Sequence, residues 1–264
     1  MSTDNNTITR WVRFEHQGQV GFGTLAGDRV AVHAGDLFGD ARPTGQVLPL
    51  AGLTLLAPVQ PGKMFGLWNN YMALAAKLNL ADPAEPLYFL KASSSLLAPG
   101  DTIVAPKGQG KIVFEGELAV VIGRRAKAVS EAQAMAHVFG YTCVNDVTAA
   151  EVLNRDASFA QWVRAKSYDT FCPLGPCIAT GLDPAALSVK TYLDGQLRQD
   201  YPVADIRFSV PRLVSLLSHD MTLEPGDLIL CGTSVGVGSM KPGQTVEVEI
   251  EGIGRLTNRF ETAD

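Results

Sequence analysis

Between Phe114 and Gly123 the chain reads FEGELAVVIG, two glutamates followed by five apolar residues. The apolar run describes a strand that is largely buried. Residues i and i+2 of a strand point to the same face, so Glu115 and Glu117 stand side by side. Two like charges repel there and cost stability unless a metal ion, a shared proton or an arginine sits between them. The same spacing also describes a solvated strand face. Residues 245–251 carry that second pattern, with Glu247, Glu249 and Glu251 alternating with Val246, Val248 and Ile250.

The surrounding chain reads as α+β, dominated by β. Residues 10–33 have the form of hairpins, with Val12, Phe14, Val20, Phe22 and Leu25 as apolar positions and Gln17-Gly18 and Gly27-Asp28 as turns. A Pro/Gly-containing join, LPLAGLTLLAPVQPG, follows at 48–62. Residues 1–60 are therefore expected to form a small N-terminal β domain, and 61–264 a longer, mainly β domain with a few helices. Helices are predicted over 70–80 with Asn70 as cap, over 130–139 from the Ser130/Gln133 capping box, and over 211–218 with proline in the first turn. Strands are predicted over 111–122, 140–145, 189–193, 227–231 and 245–251. Helical periods are too few for a (β/α)8 barrel or a doubly wound sheet.

Hydrophobic residues make up 46% of the 264 and charged residues 19%, which suits a chain with a substantial core. The formal net charge of -5 argues against nucleic acid or an anionic membrane as partner. The polar start MSTDNNTITR lacks the apolar core of a signal peptide, and no apolar run approaches the ~20 residues of a membrane span. Cys143, Cys172, Cys177 and Cys231 fit no zinc spacing. Free buried thiols in a reducing compartment, and a cytoplasmic location, are expected.

A second acidic position comes from GYTCVNDVTAAE, residues 140–151, where a strand ends at Asn145-Asp146. Alone, Asp146 is a strand-end turn former. Joined with Glu115 and Glu117 it completes three oxygen ligands with no histidine or thiolate, a set suited to hard cations. Three carboxylates around one divalent ion leave a negative residue that lysines would offset. Lys91 in PLYFLKASSS and Lys166 in WVRAKSYDTFCPLGP are candidates. The glycines of CGTSVGVG, residues 231–238, let backbone N–H groups approach an anion, and Thr233 adds a hydroxyl.

The ordered set PLYFLKASSSLLAPGD, FEGELAVVIG, GYTCVNDVT, AKSYDTFCPLGP, LEPGDLILCGTSVGVG and VEIEGIGRL resembles the fumarylacetoacetate hydrolase family over roughly residues 60–260. The resemblance implies a mixed β-roll C-terminal domain, a small N-terminal domain and a homodimer. It implies one Mg²⁺ or Mn²⁺ per chain on Glu115, Glu117 and Asp146, with Lys91, Lys166, Thr233 and Tyr71 toward a small 2-oxo or 2,4-dioxo acid. Lys166 and Glu115 are the candidate catalytic groups. The expected activity is hydrolysis of the C–C bond of an acylpyruvate such as fumarylpyruvate or maleylpyruvate, in aromatic catabolism. A decarboxylase or isomerase of an oxo-dicarboxylate, such as oxaloacetate or a hydroxy-diene-dioate, is the alternative. A non-catalytic binder of 2-oxo acids is the third reading. The chain departs from the family pattern where a base histidine is usual, since Asn70-Tyr71 leads to Leu74. Ala150 and Leu153 stand where arginine and glutamine are common, with Asn154 and Arg155 as the nearest substitutes. His16, His33, His137 and His219 are read as structural or surface residues.

Overall fold

The computed structural model describes residues 7–263. Its centre is the strand Gly116–Ile122, every residue of which is buried. Leu118, Val120 and Ile122 pack into one apolar cluster, Ala119 and Val121 into another. Burial on both faces explains why the apolar run is unbroken by polar alternation.

This strand lies in the middle of a mixed twelve-stranded sheet. On one side it pairs antiparallel with Val138–Asn145, which pairs in turn with Cys172–Thr180. On the other it pairs with Leu228–Leu230, then Met64–Trp68 and Leu87–Lys91. The N-terminal strands β1 (Thr9–His16), β2 (Gln19–Ala26) and β3 (Arg29–Ala34) form the hairpins predicted over 10–33, and β4 (Arg42–Pro49), which no strand prediction covered, pairs with β3. They continue the large sheet through pairing of β1 with Cys172–Thr180. A five-stranded sheet, running Gln196–Pro202, Ser188–Leu193, Thr245–Ile250, Gly254–Thr262 and Thr102–Ala105, contributes Val189, Val248, Ile250 and Leu256 to the main core. The helix Val210–Asp220 packs Leu213, Val214 and Leu217 into the same core. Its first turn is capped by the Ser209 hydroxyl, which accepts from Arg212 N–H. No helix of the described residues is long and apolar enough to cross a membrane.

Three predicted elements differ in detail. The continuous strand 111–122 is two strands, Ile112–Phe114 and Gly116–Ile122, in separate sheets. Glu115 sits at the break. Its N–H donates to the Asn145 side chain and that of Gly116 to Gln199, so side chains take the bonds a ladder would have made. The helix expected over 130–139 is one α-turn, Glu131–Ala134, and a 3-10 turn, Met135–His137, because Val138 already pairs with Ile122. Helix α1 runs Met72–Leu78, not from Asn70. The Asn70 side chain cannot cap it, since its amide donates to the Cys231 carbonyl and its oxygen accepts from Phe208 N–H.

Candidate metal centre

Both chains of the central antiparallel pair change sheets at the same level. Ile112–Phe114 pairs with Thr148–Ala149 in a small sheet, and Gly116–Ile122 with Val138–Asn145 in the large one. Glu115 and Asp146 occupy the two crossings, tied by a bond from Asp146 N–H to the Glu115 carbonyl at 2.8 Å. Glu117 follows on the buried strand. One ligand oxygen from each of Glu115, Glu117 and Asp146 lies within 4.8 Å of the others. The acids predicted from the i, i+2 spacing and the strand end thus meet, although the strand is interrupted between them.

Two lysines neutralise part of this charge. Lys91 Nζ donates to Asp146 Oδ1 at 2.6 Å and to the Lys166 carbonyl. Lys166 Nζ donates to Asp146 Oδ2 at 2.6 Å and to Glu115 Oε2 at 2.7 Å. Three acids against two ammonium groups leave one formal negative charge. Glu117 is different. Its Oε2 accepts from Gly232 N–H at 2.8 Å, while its buried Oε1 has no partner in the protein. Gly232 has φ +90°, a conformation that aims its N–H inward and that side chains disfavour.

These contacts divide the acids electrostatically. Burial and the Asp146 charge hold the Glu117 carboxyl well above the usual carboxylate range. Burial also raises Glu115, against the pull of Lys166. For Asp146 burial pushes upward, but Lys166 and Lys91 together outweigh it and its carboxyl is lowered. Burial alone would discharge Lys166; the charges of Asp146, Glu115 and Glu117 reverse this and keep it an ammonium ion. Its ammonium is held by direct hydrogen bonds to Glu115 and Asp146.

A narrow cavity reaches this cluster. Among its walls are Glu115, Lys166, Thr233, Asn70, Leu74 and Trp68. Glu115 is the one carboxylate among the lining residues. Thr233 Oγ accepts from Gln199 and donates to the Gly116 carbonyl at 3.1 Å. Two expected substrate-side residues lie elsewhere. Lys91 is fully buried behind Asp146, because its ammonium is drawn to that carboxylate. Tyr71 is buried with its ring edge-on to Tyr201 at 4.8 Å, and its phenol does not line the cavity. The substitutes suggested for the missing family side chains also point away, Arg155 pairing with Gln109 and Asn154 being exposed. None of the four histidines lines the cavity. His137 and His219 are held by the Arg125 and Ser215 carbonyls. Gln199 and Trp162 carry no sequence signal of a place in the site, and Thr148 reads from sequence only as a cap or turn residue. Thr148 Oγ donates to Glu115 Oε1 at 2.9 Å, and its place two residues past Asp146 is a signal only once Glu115 is known to face it.

Residues 63–261 match the fumarylacetoacetate (FAA) hydrolase C-terminal model, and residues 9–58 match Rv2993c-like, N-terminal. The chain belongs to the fumarylacetoacetate hydrolase family. Among relatives, it is 42% identical to the 4-hydroxyphenylacetate degradation bifunctional isomerase/decarboxylase of Escherichia coli over 77% of this chain and 48% of that protein. Its structure resembles that of a 2-hydroxyhepta-2,4-diene-1,7-dioate isomerase from Mycobacterium marinum, with 39% identity, TM-score 0.89 and coverage of 96% and 98% of the two chains. It also resembles a maleylpyruvate hydrolase from Sphingobium sp. SYK-6 in complex with manganese(II) and pyruvate, with 28% identity, TM-score 0.80 and coverage of 97% and 100%. The family is enzymatic, and its members named here include both isomerases and hydrolases.

Proposed function

We propose that the chain is a divalent-metal-dependent enzyme that breaks the C–C bond of an acylpyruvate, giving pyruvate and a carboxylic acid. The observation that carries this reading is the convergence of Glu115, Glu117 and Asp146 beside two buried ammonium groups. An all-oxygen donor set suits Mg²⁺ or Mn²⁺, and the unpartnered Glu117 Oε1 fits a group that needs a cation. When bound, the ion supplies Lewis-acid polarisation of the 2-oxo group and compensates enolate charge.

The protein groups account for the rest. Lys166 offers a permanent charge for the substrate carboxylate at the cavity wall. Lys91 holds Asp146 in orientation from behind. In hydrolysis, water adds to the carbonyl remote from the carboxylate and gives up a proton. The bond from that carbon to the adjoining CH2 then breaks, its electron pair staying with the pyruvate fragment as an enolate. A proton returns to that carbon. Glu115, the one carboxylate lining the cavity, is the group placed to carry it.

A second reading is isomerisation or decarboxylation of an oxo acid. It is favoured by Leu74, an apolar side chain at the cavity wall where the resemblance expects a histidine, since these reactions need no activated water. The test is one screen of EDTA-stripped protein reloaded with Mn²⁺. Pyruvate plus a second acid from acylpyruvates supports hydrolysis. CO2 from oxaloacetate or a shifted diene absorbance supports the alternative. Manganese binding without any product supports a non-catalytic 2-oxo acid binder. The same reading expects a homodimer, for which light scattering would give twice the protomer mass of 28.2 kDa.

A further inference from the structure

We infer that the far end of this site takes an uncharged apolar or aromatic group and discriminates against a second carboxylate. The inference rests on the 2-oxo acid reading above and narrows its substrate class. The cavity at the acids opens beside a larger cleft of about 380 Å³, and Trp68, Phe89 and Trp162 line both. Pro86, Leu87 and Tyr88 complete the cleft. Phe89 and Trp162 stack with centroids 5.5 Å apart and planes at 14°; Trp68 and Trp162 are 5.2 Å apart at 50°. Lys166 Nζ lies 5.3 Å from the Phe89 ring centre, so the charged end and the aromatic end of the site adjoin directly.

Charge decides what such a cleft accepts. Among the described residues lining either space, Lys166 is the one cation, and it already serves Glu115 and Asp146. Lys77 and Arg164, on neighbouring helices, are exposed and line neither space; Arg207 pairs with Asp82. A substrate whose 2-oxo acid end meets Lys166 therefore lays its other end on ring faces and Leu87. A carboxylate there meets no cation among the lining residues, and the electronegative faces of the aromatic rings repel it. An alkyl or aryl end gains contact on the same rings. Leu74 extends the apolar wall inward. Maleylpyruvate and 2-hydroxyhepta-2,4-diene-1,7-dioate both carry a second carboxylate, so this chain would differ from the relatives named for them. The fumaryl and maleyl groups expected from sequence give way to uncharged acyl groups.

Calorimetry on the full, Mn²⁺-loaded protein tests this independently of turnover, with pyruvate, phenylpyruvate and 2-oxoadipate as probes. Phenylpyruvate is expected to bind at least about tenfold tighter than 2-oxoadipate. Equal or reversed affinities overturn the inference. A Leu87→Arg variant adds a cation at a half-exposed rim position that tolerates it, and is expected to raise 2-oxoadipate affinity several-fold and shrink the gap. An unchanged gap overturns the assignment of this cleft. Pyruvate binding without any preference sinks the inference and leaves the 2-oxo acid reading standing. Failure of all three probes to bind sinks both. Selective phenylpyruvate binding with no pyruvate release from benzoylpyruvate sinks only the hydrolytic reading.

Discussion

Glu117 and Lys91 make the sharpest demands at the scale of single residues. A Glu117→Gln variant keeps the shape of the side chain but removes its capacity to ionise against a cation. It is expected to lower Mn²⁺ affinity by at least about 100-fold, read by calorimetry, with activity falling in step; an unchanged affinity would refute the ligand set. Lys91→Met strips one of two cations from a buried aspartate. Breaking such a pair costs about 3–5 kcal/mol, and the loss is expected near the lower figure because Lys166 remains, as a urea titration would measure. The acids were legible in sequence because their chemistry is unusual in an apolar strand. The inward turn of Lys91 was not. A lysine after an apolar run gives no sign of which carboxylate it meets, and Asp146 lies 55 residues further on.

The strand break at Glu115 governs the scale of elements. Gly116 passes so close to the five-stranded sheet that an added Cβ would lie 2.0 Å from Thr191 Oγ. Gly116→Ala is expected to cost about 1–3 kcal/mol through overpacking. Thr191→Ala should restore much of that in the double variant, because the Thr191 hydroxyl is buried without a partner and contributes little itself. Additive losses in a thermal melt would show that the two do not collide. Sequence patterning supplied strands, hairpins and the final helix with proline in its first turn, all features set by neighbours along the chain. The break depends on Gln199, 83 residues away, taking the Gly116 N–H, and no local pattern encodes that bond.

For the whole molecule, the four cysteines are all buried and free. Burial pushes Cys172 and Cys177 up to about 12, and Cys143 and Cys231 also rise. The folded state therefore keeps these protons to higher pH than the unfolded chain, whose thiols ionise near ~8.5. Above that value the unfolded state binds fewer protons, so stability falls as pH rises toward 12. The urea midpoint is expected to drop between neutral pH and about pH 10, and Cys172→Ala to lessen the drop; a flat profile would contradict the buried thiols. The global arrangement was legible only in outline, because continuous pairing of β1 with Cys172–Thr180 joins segments about 170 residues apart. That arrangement also separates the three tryptophans. Trp11 packs against His33 and Phe139 on β1, five strand spacings of ~4.8 Å from the strand that ends in Trp68. Trp68 and Trp162 stand together at the mouth. The fold thus contains its own optical gauge: whatever enters will perturb the emission and near-ultraviolet dichroism of the close pair, while the remote indole keeps a steady background signal.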